Sequence, residues 1–471
     1  MSAHSQPSAG DSKVSFRERV GIGLGDGAAI ASSGSLNVLV YPIYNVVLGV
    51  SPSLISIVVF IQRAFDAITD PLVGQFSDKL RTRWGRRKPL IAMSLPFLLV
   101  FSVALWWFPR GLSEMGFFWW LLIVSLLFYT AHTFYSVPVW ALRMEATDDY
   151  HERTRVAATV QIVAYIGSLG LQWLFPLVQS SIFPDVVTGL RTTTLLWSIF
   201  FVIVGLAPLF WVRERILPVD EKKPVKVGWS QSWRILRSNT AFMILLSMRF
   251  IWSFCYLVVA TFNIYMNIYM VYGGDVKASA MMQGWIGSAF QVAVIGSVFI
   301  YRKLAITIGK RNSLCAAGGA LIIGCILKLF VYQPSMPWLQ VLVPFFNGLS
   351  LGGIMLVGNS MLADVAAYDE YVTGQRRAAL FAGLLAWCDK FGNSIGTLLS
   401  GFILVWIGFD AKILNGVQST GTLNLMQGLY AGIPCIGAVV AILLALRYPL
   451  SKEMVNEVKL ELNRRKLEAT A

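Results

Sequence analysis

Residues 77–108 read SDKLRTRWGRRKPLIAMSLPFLLVFSVALWWF, a strongly basic stretch followed at once by a long apolar one. Six Lys and Arg residues lie in 79–88, whereas 90–108 contains no charged residue over 19 positions. A helix of about 20 apolar residues matches the hydrocarbon thickness of a bilayer. A basic loop next to such a run is typical of the cytoplasmic end of a transmembrane helix. This stretch therefore predicts a membrane-spanning segment.

The composition extends this prediction to the whole chain. Of its 471 residues 56% are apolar and only 14% are charged, whereas a soluble domain has about 25% charged residues. At about 20 residues per crossing, the apolar content is enough for roughly twelve helices. We predict an all-α membrane protein with twelve transmembrane helices, near residues 21–49, 53–77, 90–108, 117–141, 156–183, 192–212, 240–272, 280–301, 312–332, 338–363, 378–406 and 425–446.

The cations are unevenly distributed between the two sides of this topology. Of the 39 Lys and Arg residues, 31 lie on the side of the N-terminal tail, and four lie in the opposite loops: Arg110, Arg191, Lys277 and Lys412. The positive-inside rule then places both termini in the cytoplasm. Basic loops that face an anionic lipid leaflet explain the net charge of +14, so we predict a lipid bilayer and no nucleic acid as partner.

The chain divides into two similar halves. A basic linker with Pro218 and Pro224 separates six predicted spans from six. The motif Gly85-Arg86-Arg87 after the second span resembles Gly309-Lys310-Arg311 after the eighth, close to half the chain length later. Such a repeat indicates duplication of a six-helix unit. We predict two pseudo-symmetric bundles, at 21–213 and 240–447, with a cytoplasmic tail at 1–20, a linker at 214–239 and an amphipathic cytoplasmic tail at 448–471.

The second predicted span carries charges where charges are costly. Residues 61–71 read IQRAFDAITDP, and helical spacing places Arg63, Asp66, Thr69 and Asp70 along one stripe. Carboxylate and hydroxyl oxygens are ligands for a hard cation such as Na⁺, and paired acids raise each other's pKa, which suits H⁺. Because charge inside a span is functional by default, we predict a cation site here. The alternative is a neutral pair of Arg63 and Asp66 that holds helices together.

The fourth predicted span adds polar and aromatic groups. Thr133 can complete the oxygen shell of the second span, and Trp140 can stack on a ring-shaped ligand. Ordinary packing or anchoring at the membrane interface is the alternative for Trp140. For His132 the alternative is a hydrogen-bonded core histidine. Ser136 lies between His132 and Trp140 in the same span.

Three cations lie in spans of the second half. Lys390 follows Asp389 in the eleventh span and can pair with acids of the first half, with local snorkelling as the alternative. Arg249 lies in the seventh span. Lys328 lies near the predicted end of the ninth span, and we expect it to snorkel outward to the membrane interface.

Enzymatic signatures are missing from the sequence. It contains no HExxH, no P-loop and no GxSxG with a suitable acid and base. The five cysteines lie in apolar runs without CxxC spacing, which is typical of small buried residues. We therefore predict no enzymatic activity, no metal beyond Na⁺ at Asp66 and Asp70, and no cofactor other than Na⁺ as a coupling ion.

At these residues the chain resembles the glycoside, pentoside and hexuronide cation symporters, a family of the major facilitator superfamily that includes the melibiose permease. The ordered motifs that carry the resemblance extend from the second span to the eleventh. They are 66–71 (DAITDP), 77–89 (SDKLRTRWGRRKP), 147–155 (TDDYHERTR), 273–275 (GGD), 363–364 (AD) and 373–377 (TGQRR), which leads to Lys390.

The resemblance implies roles for individual residues. Asp66, Asp70 and Thr133 match the family's cation site, with Thr69 in place of an asparagine, while Trp140 matches its sugar-stacking tryptophan and Lys390 a lysine near both sites. Where the family has polar sugar ligands, this chain has Ile30, Ser136 and Gln161. The cation half of the site thus matches the family, and the galactoside half does not. Our predicted substrate-binding residues are Trp140, Lys390, Arg63, Ser136, Gln161, Arg249 and His132.

We expect a secondary active transporter that couples Na⁺ or H⁺ to uptake of a sugar, glycoside or anionic sugar, a uronide or sulfonated sugar, by alternating access. The alternative is a transporter of lysolipids or other amphiphiles from the same superfamily branch. Ion pairs of the basic loop are expected to hold the two cytoplasmic halves closed in one state. The gating residues are Asp78, Arg81, Arg86 and Arg87. We further expect a monomer in a bacterial cytoplasmic (inner) membrane.

Overall fold

The computed structural model describes residues 14–147, 150–214, 239–375, 377–410 and 418–468. Within these ranges the regular structure is helical, and the only β-type pairing is one isolated bridge between Thr82 and Gly85. Eight helices of this described part are long and apolar enough to cross a membrane. The prediction of an all-α membrane protein is confirmed. Most of the predicted tail at 1–20 and almost all of the linker at 214–239 lie outside the described ranges.

The chain forms two compact units, Met1–Glu221 and Lys222–Ala471. In the first unit, α1 continues into a π-helical segment, Tyr41–Val47, and the 3₁₀ segment Leu169–Trp173 joins α5 to α6. Its α-helices are α1 (Phe16–Val40), α2 (Pro52–Lys79), α3 (Lys88–Ala104), α4 (Glu114–Met144), α5 (Tyr150–Ser168), α6 (Leu174–Val178), α7 (Val186–Gly205) and α8 (Ala207–Trp211).

Glycines let α1 approach its neighbours closely. A Cβ atom at residue 23 would lie 2.8 Å from the Cβ atom of Val163, and one at residue 25 would lie 2.5 Å from Cγ of Pro208. Helix association within a bilayer depends on packing at close range, because lipid is as apolar as the side chains. The small residues Gly23 and Gly25 therefore place α1 at the centre of this unit, against α5 and α8.

The second unit repeats this plan. Its first two helices are followed by a π-helical segment, Met266–Val271, and the 3₁₀ segment Pro337–Val341 precedes α13. Its α-helices are α9 (Thr240–Leu257), α10 (Phe262–Tyr265), α11 (Val276–Thr307), α12 (Gly309–Leu327), α13 (Leu342–Thr373), α14 (Ala378–Trp406), α15 (Thr420–Leu446) and α16 (Lys452–Glu468).

Two local features recur in both units. Asn45 and Asn267 lie in the two π-helical segments, and each side-chain amide donates to a backbone carbonyl, 2.7 Å to Val50 O and 3.0 Å to Ser279 O. The glycines of the two matching loop motifs, Gly85 and Gly309, have φ of +101° and +82°, a backbone conformation that glycine adopts without strain. These recurrences support the duplication that the sequence indicates.

Large apolar side chains lie on the outer surface as well as in the core. Phe210 and Trp406 are each 75% exposed and Phe299 is 70% exposed. A soluble protein rarely leaves contiguous apolar surface in water. Because these side chains lie on or next to apolar helices, hydrocarbon tails are the solvent that suits them.

Candidate functional site

Helix α2 presents the predicted acidic stripe. Asp66, Thr69 and Asp70 are all half-buried, and the Thr69 hydroxyl donates to the Phe65 carbonyl oxygen at 3.0 Å. Pro71 lies inside the helix and has no amide hydrogen to donate one turn back, so it frees the carbonyl of Ala67 from the helical ladder. The stripe thus offers carboxylate, hydroxyl and carbonyl oxygens within two turns.

Helix α4 packs beside α2 and adds another oxygen. Thr133 is fully buried, and its Oγ1 donates to Oδ1 of Asp66 at 3.4 Å. The structure therefore brings together two of the residues that the sequence assigns to the cation site. Arg63 lies one turn earlier on α2 and donates from Nη2 to Oδ1 of Asn37 at 3.2 Å.

The predicted substrate residues of the first unit differ in exposure. Trp140 is 51% exposed, whereas Ser136 is 4% exposed. The Nδ1 atom of His132 lies 3.1 Å from Oγ of Ser32 on α1, which agrees with its alternative interpretation as a hydrogen-bonded histidine. Gln161 is exposed and donates to the Tyr165 hydroxyl at 3.0 Å. Of this group, Trp140 presents the largest exposed ring.

Arg249 is buried in the second unit and forms an ion pair there. Its side chain is 3% exposed, and Nη2 lies 2.5 Å from Oδ2 of Asp389 on α14. Its Nη1 donates to the carbonyl oxygen of Ile354 at 3.4 Å. A Cβ at residue 358 would lie 3.2 Å from this Nη1, so Gly358 leaves room for the guanidinium. Arg249 thus ties α9 to α13 and α14, while Lys390, next to Asp389, is half-buried.

The prediction that Lys328 reaches the membrane interface is wrong. Lys328 is 1% exposed, its Nζ donates to the backbone carbonyl of Tyr430 at 2.9 Å, and it lies 3.8 Å from the centroid of the Tyr430 ring. Helix α12 ends at Leu327, and the lysine that follows packs against α15 instead of extending into lipid. The position of Lys328 near the end of its predicted span did not indicate the direction of its side chain.

A charged cluster surrounds the loop between α2 and α3. The Nη2 atom of Arg87 lies 2.5 Å from Oδ1 of Asp78 and 2.7 Å from Oε1 of Glu145, and its Nη1 donates to Oγ of Ser77 at 2.7 Å. Burial lowers the pKa of Arg87, but its hydrogen bonds and charge interactions with Glu145 and Asp78 outweigh burial, so the pKa lies above its ordinary value. Arg87 therefore stays protonated.

Glu214 caps the start of α3. Its carboxylate accepts hydrogen bonds from the backbone amides of Arg86, Arg87 and Lys88, at 3.0 Å from Arg87 N. A carboxylate at a helix N-terminus also interacts favourably with the helix dipole. Sequence reasoning missed Glu214 and Glu145. The available signal was that each acid follows an apolar span whose end is predicted to lie on the same side of the membrane as the basic loop.

These described contacts lie within the first unit. Arg86 Nη2 lies 3.7 Å from Oε2 of Glu145, and Arg81 is exposed. The cluster joins the cytoplasmic ends predicted for α2, α3, α4 and α8. The role of Asp78, Arg81, Arg86 and Arg87 in closing the two halves stays a prediction.

Comparison with known proteins identifies the family. Residues 21–452 match the family described as MFS/sugar transport protein. The chain belongs to this family. Members are transporters of the major facilitator superfamily and not enzymes, so the predicted resemblance and the prediction that the chain is not an enzyme are confirmed. As a family member the chain is an integral multi-pass membrane protein.

Several relatives in the family align along nearly the whole chain. A glucuronide carrier protein homolog of Escherichia coli K12 is 24% identical, with 96% of this chain and 97% of the relative covered. The isoprimeverose transporter of Lactiplantibacillus pentosus is 24% identical, with coverage of 93% and 90%. The sodium-dependent lysophosphatidylcholine symporter 1-A of Danio rerio is 22% identical, with coverage of 84% and 79%.

Solved structures show the same fold. A D-xylose-proton symporter superposes with a TM-score of 0.59 at 13% identity, and 90% of this chain and 96% of that chain are covered. At this identity the likeness establishes the major facilitator fold alone.

Proposed function

We propose that this protein is a cation-coupled symporter of a sugar or glycoside, with Na⁺ or H⁺ as the coupling ion, and that it works by alternating access. The observation that carries the proposal is the oxygen cluster of Asp66, Asp70 and Thr69 on α2, with Thr133 of α4 hydrogen-bonded to Asp66. The names of two relatives, a glucuronide carrier homolog and an isoprimeverose transporter, support a sugar-like solute.

The cation has a physical reason to bind at this cluster. An acid within the membrane costs at least about 2.5 kcal/mol on insertion scales. A bound Na⁺ or H⁺ lowers that cost. The cation binds best to the conformation that also binds solute, so the free energy of cation binding favours solute binding as well. Because coupling between two ligands is reciprocal at equilibrium, solute must also raise the affinity for the cation.

We assign the solute to the substrate-binding residues that the sequence predicts. Trp140 exposes a ring that can stack on a sugar, and Lys390 and Arg63 can attract an anionic group such as a uronide carboxylate or a sulfonate. Ser136, Gln161 and His132 supply hydrogen-bonding groups. We do not include Arg249, because its guanidinium is already paired with Asp389.

Transport into proteoliposomes tests the proposal. A panel of glycosides and uronides is offered to the wild type under an inward Na⁺ gradient and, separately, an inward H⁺ gradient. We expect gradient-dependent accumulation of at least one solute, and its loss in Asp66→Asn/Asp70→Asn. Asp275→Asn is the matched control, because asparagine also serves as the N-cap of α11. Accumulation that survives replacement of both acids would overturn the mechanism.

Thermal unfolding, taken together with uptake, distinguishes Na⁺ from H⁺ as the coupling ion. Because a ligand of the folded state raises stability by mass action, we expect Na⁺ to raise the unfolding temperature of the wild type and not that of Asp66→Asn. If H⁺ is the coupling ion, Na⁺ will leave both proteins unchanged while the H⁺ gradient still drives uptake.

A lysolipid is the second candidate solute. Ile30 on α1 is 37% exposed at the position where the resembled family has a sugar-binding aspartate, and the Danio rerio relative is named a lysophosphatidylcholine symporter. Uptake of lysophosphatidylcholine, with no response to the glycoside and uronide panel, would favour this candidate. Loss of lysolipid uptake in Ile30→Asp would support it further.

The cytoplasmic cluster is assigned to gating. We expect Asp78→Asn and Arg86→Gln to reduce the transport rate more than the affinity for solute, because the ion pairs described for these residues lie within the loop cluster. Transport and binding measured on the same preparation test this, and an equal loss of affinity and rate would contradict it.

We also propose that both termini lie in the cytoplasm of a bacterial cell and that the protein is a monomer.

A further inference from the structure

A small cavity lies inside the second unit, between helices that the proposed coupling site does not use. Its volume is about 170 Å³, and its lining combines apolar side chains such as Phe290 and Ile286 with polar ones. The polar lining consists of Lys328, Asn263, Asn347, Tyr256 and Tyr430. Polar side chains in a partly open cavity whose lining is otherwise apolar require a chemical explanation.

The first feature is the charge of Lys328. Its ammonium has three N–H donors, and one of them bonds the carbonyl of Tyr430. In the described part of the chain, no Asp or Glu forms an ion pair with this ammonium within 4.0 Å. The Tyr430 ring offsets part of the cost of burying the charge. A buried cation without a counter-ion nevertheless remains costly, so an anion is the ligand that this lining favours.

The second feature is the side chain of Asn347, which is 4% exposed. Its Oδ1 has no hydrogen-bond partner among the described residues. A buried amide is expected to be hydrogen-bonded, because desolvation without a partner is unfavourable. The Oδ1 atom packs against Gly324, where a Cβ would lie 2.8 Å away, but Asn347 also lines the cavity, and its NH₂ group is a donor for a ligand there.

A tyrosine network lies beside these two groups. The Asn263 amide nitrogen donates to the hydroxyl oxygens of Tyr430 at 3.1 Å and Tyr332 at 3.2 Å, and Gln283 donates to Asn263 Oδ1 at 3.3 Å. The two tyrosine hydroxyls also hydrogen-bond each other, so these polar groups satisfy one another. Lys328 and Asn347 remain as the lining groups that are available to a ligand.

We propose that this cavity binds a small carboxylate. The carboxylate accepts hydrogen bonds from the Lys328 ammonium and from the NH₂ group of Asn347. At about 30 Å³ per water molecule, the volume suits a C3 or C4 acid, or the acid end of a larger sugar acid. The site goes beyond the proposed function, because its residues are separate from those assigned to cation and solute.

Thermal unfolding of the purified full-length protein tests the site. The probes are D-glycerate against glycerol and D-glucuronate against D-glucose, as potassium salts where charged, with KCl added to equal ionic strength. We expect D-glycerate to raise the unfolding temperature, and glycerol and KCl not to raise it. If only D-glucuronate does so and the shift is lost in Lys328→Met, the occupant is the acid end of a larger molecule. A D-glucuronate shift that Lys328→Met keeps would contradict this site, because the solute site proposed above can also bind a uronide.

Variants connect the effect to the cavity. We expect Lys328→Met to weaken carboxylate binding about tenfold or more, since a charged hydrogen bond is lost, and Asn347→Ala to weaken it as well. Lys303→Met, at an exposed lysine of α11, is the matched control and keeps the shift. Asp66→Asn/Asp70→Asn also keeps it, so failure of the coupling proposal is distinguishable from failure of this one.

Three results would overturn the proposal. They are no shift with either carboxylate, an equal shift with the neutral partner or KCl, and a shift that survives in both Lys328→Met and Asn347→Ala. Lys328→Met removes a buried charge that no carboxylate offsets, so we expect the ligand-free variant to be at least as stable as the wild type. Should it fail to fold, the wild-type probe panel and Asn347→Ala decide the question.

Discussion

The first helix of each unit carries a buried charge near its middle, Asp26 in one and Arg249 in the other, and the two charges have opposite signs. In the first unit Asp26 pairs with Arg143 at 3.0 Å, and in the second Arg249 pairs with Asp389 at 2.5 Å. The interval from Asp26 to Arg249 is almost the same as that between the two copies of the repeated loop motif. The duplicated units thus both keep an ion pair at this level of the first helix, although the sign of the buried partner differs.

This comparison separates structural charges from functional ones. Each ion pair lies within its own unit, so we assign Asp26 and Arg249 to the stability of the fold and not to a ligand. The acidic stripe of α2, in contrast, occurs in one unit alone. When the two copies of the loop motif are aligned, Phe290 and Val294 take the positions of Asp66 and Asp70, so the second unit has no copy of the stripe.

The largest expected effect is on the pair of the second unit. Arg249→Met leaves the Asp389 carboxylate without its partner, and we expect a loss of about 3 to 5 kcal/mol in the free energy of unfolding. Denaturant unfolding in detergent measures it, with Arg302→Met at an exposed arginine as control. The double variant Arg249→Met/Asp389→Leu should recover most of the loss. A single variant as mild as the control would contradict the structural role.

The pair of the first unit should be weaker. Arg143 makes a single hydrogen bond to Asp26, whereas Arg249 bonds both carboxylate oxygens of Asp389, and two-point pairs of this kind are the stronger ones. We expect Arg143→Met to cost about 1 to 3 kcal/mol, measured in the same way. A loss equal to that of Arg249→Met would show that the number of hydrogen bonds does not distinguish the two pairs.

A smaller effect is expected at the cytoplasmic end of the first unit. Glu214→Gln removes a charge from the start of α3 but keeps an acceptor for its amides, so we expect a loss of about 1 kcal/mol. Glu457→Gln, at an exposed glutamate of α16, is the control for loss of charge alone. Unfolding at high salt should reduce the difference, because salt screens the dipole interaction.

The smallest effect is expected at the corresponding end of the second unit. Asp364 is paired with both Lys310 and Lys459, and Lys459 is 51% exposed. Lys459→Met leaves the pair with Lys310 intact, so we expect a change of about 0 to 1 kcal/mol. Thermal unfolding with and without salt measures it. A loss larger than that of Glu214→Gln would reverse the order expected for the two cytoplasmic ends.

The sequence predicted those features that depend on local pattern. Long uncharged runs predicted the helical membrane fold, and the i, i+3 and i+4 spacing on α2 predicted the acidic stripe. The contact of Thr133 with Asp66 was also expected, because the fourth span offered a hydroxyl at a suitable position.

Features that depend on contacts across the fold were not predicted. Arg249 and Asp389 lie far apart in the chain, and their pairing is set by the packing of α9 against α14. The direction of Lys328 depends on how the chain turns after α12, which helix periodicity does not contain. Glu214 acts through backbone amides of a loop, and a loop has no periodic signal from which to predict its partners.

The paired π-helical segments bear on the history of the chain. A π-helical turn is one residue wider than an α-helical turn, so its simplest origin is a single-residue insertion into an ordinary helix. Tyr41–Val47 and Met266–Val271 both carry such a turn, and each contains an asparagine, Asn45 and Asn267, at a nearly equivalent position of its half. One insertion in the ancestral six-helix unit explains both. The insertion would then be older than the gene duplication that produced the two halves.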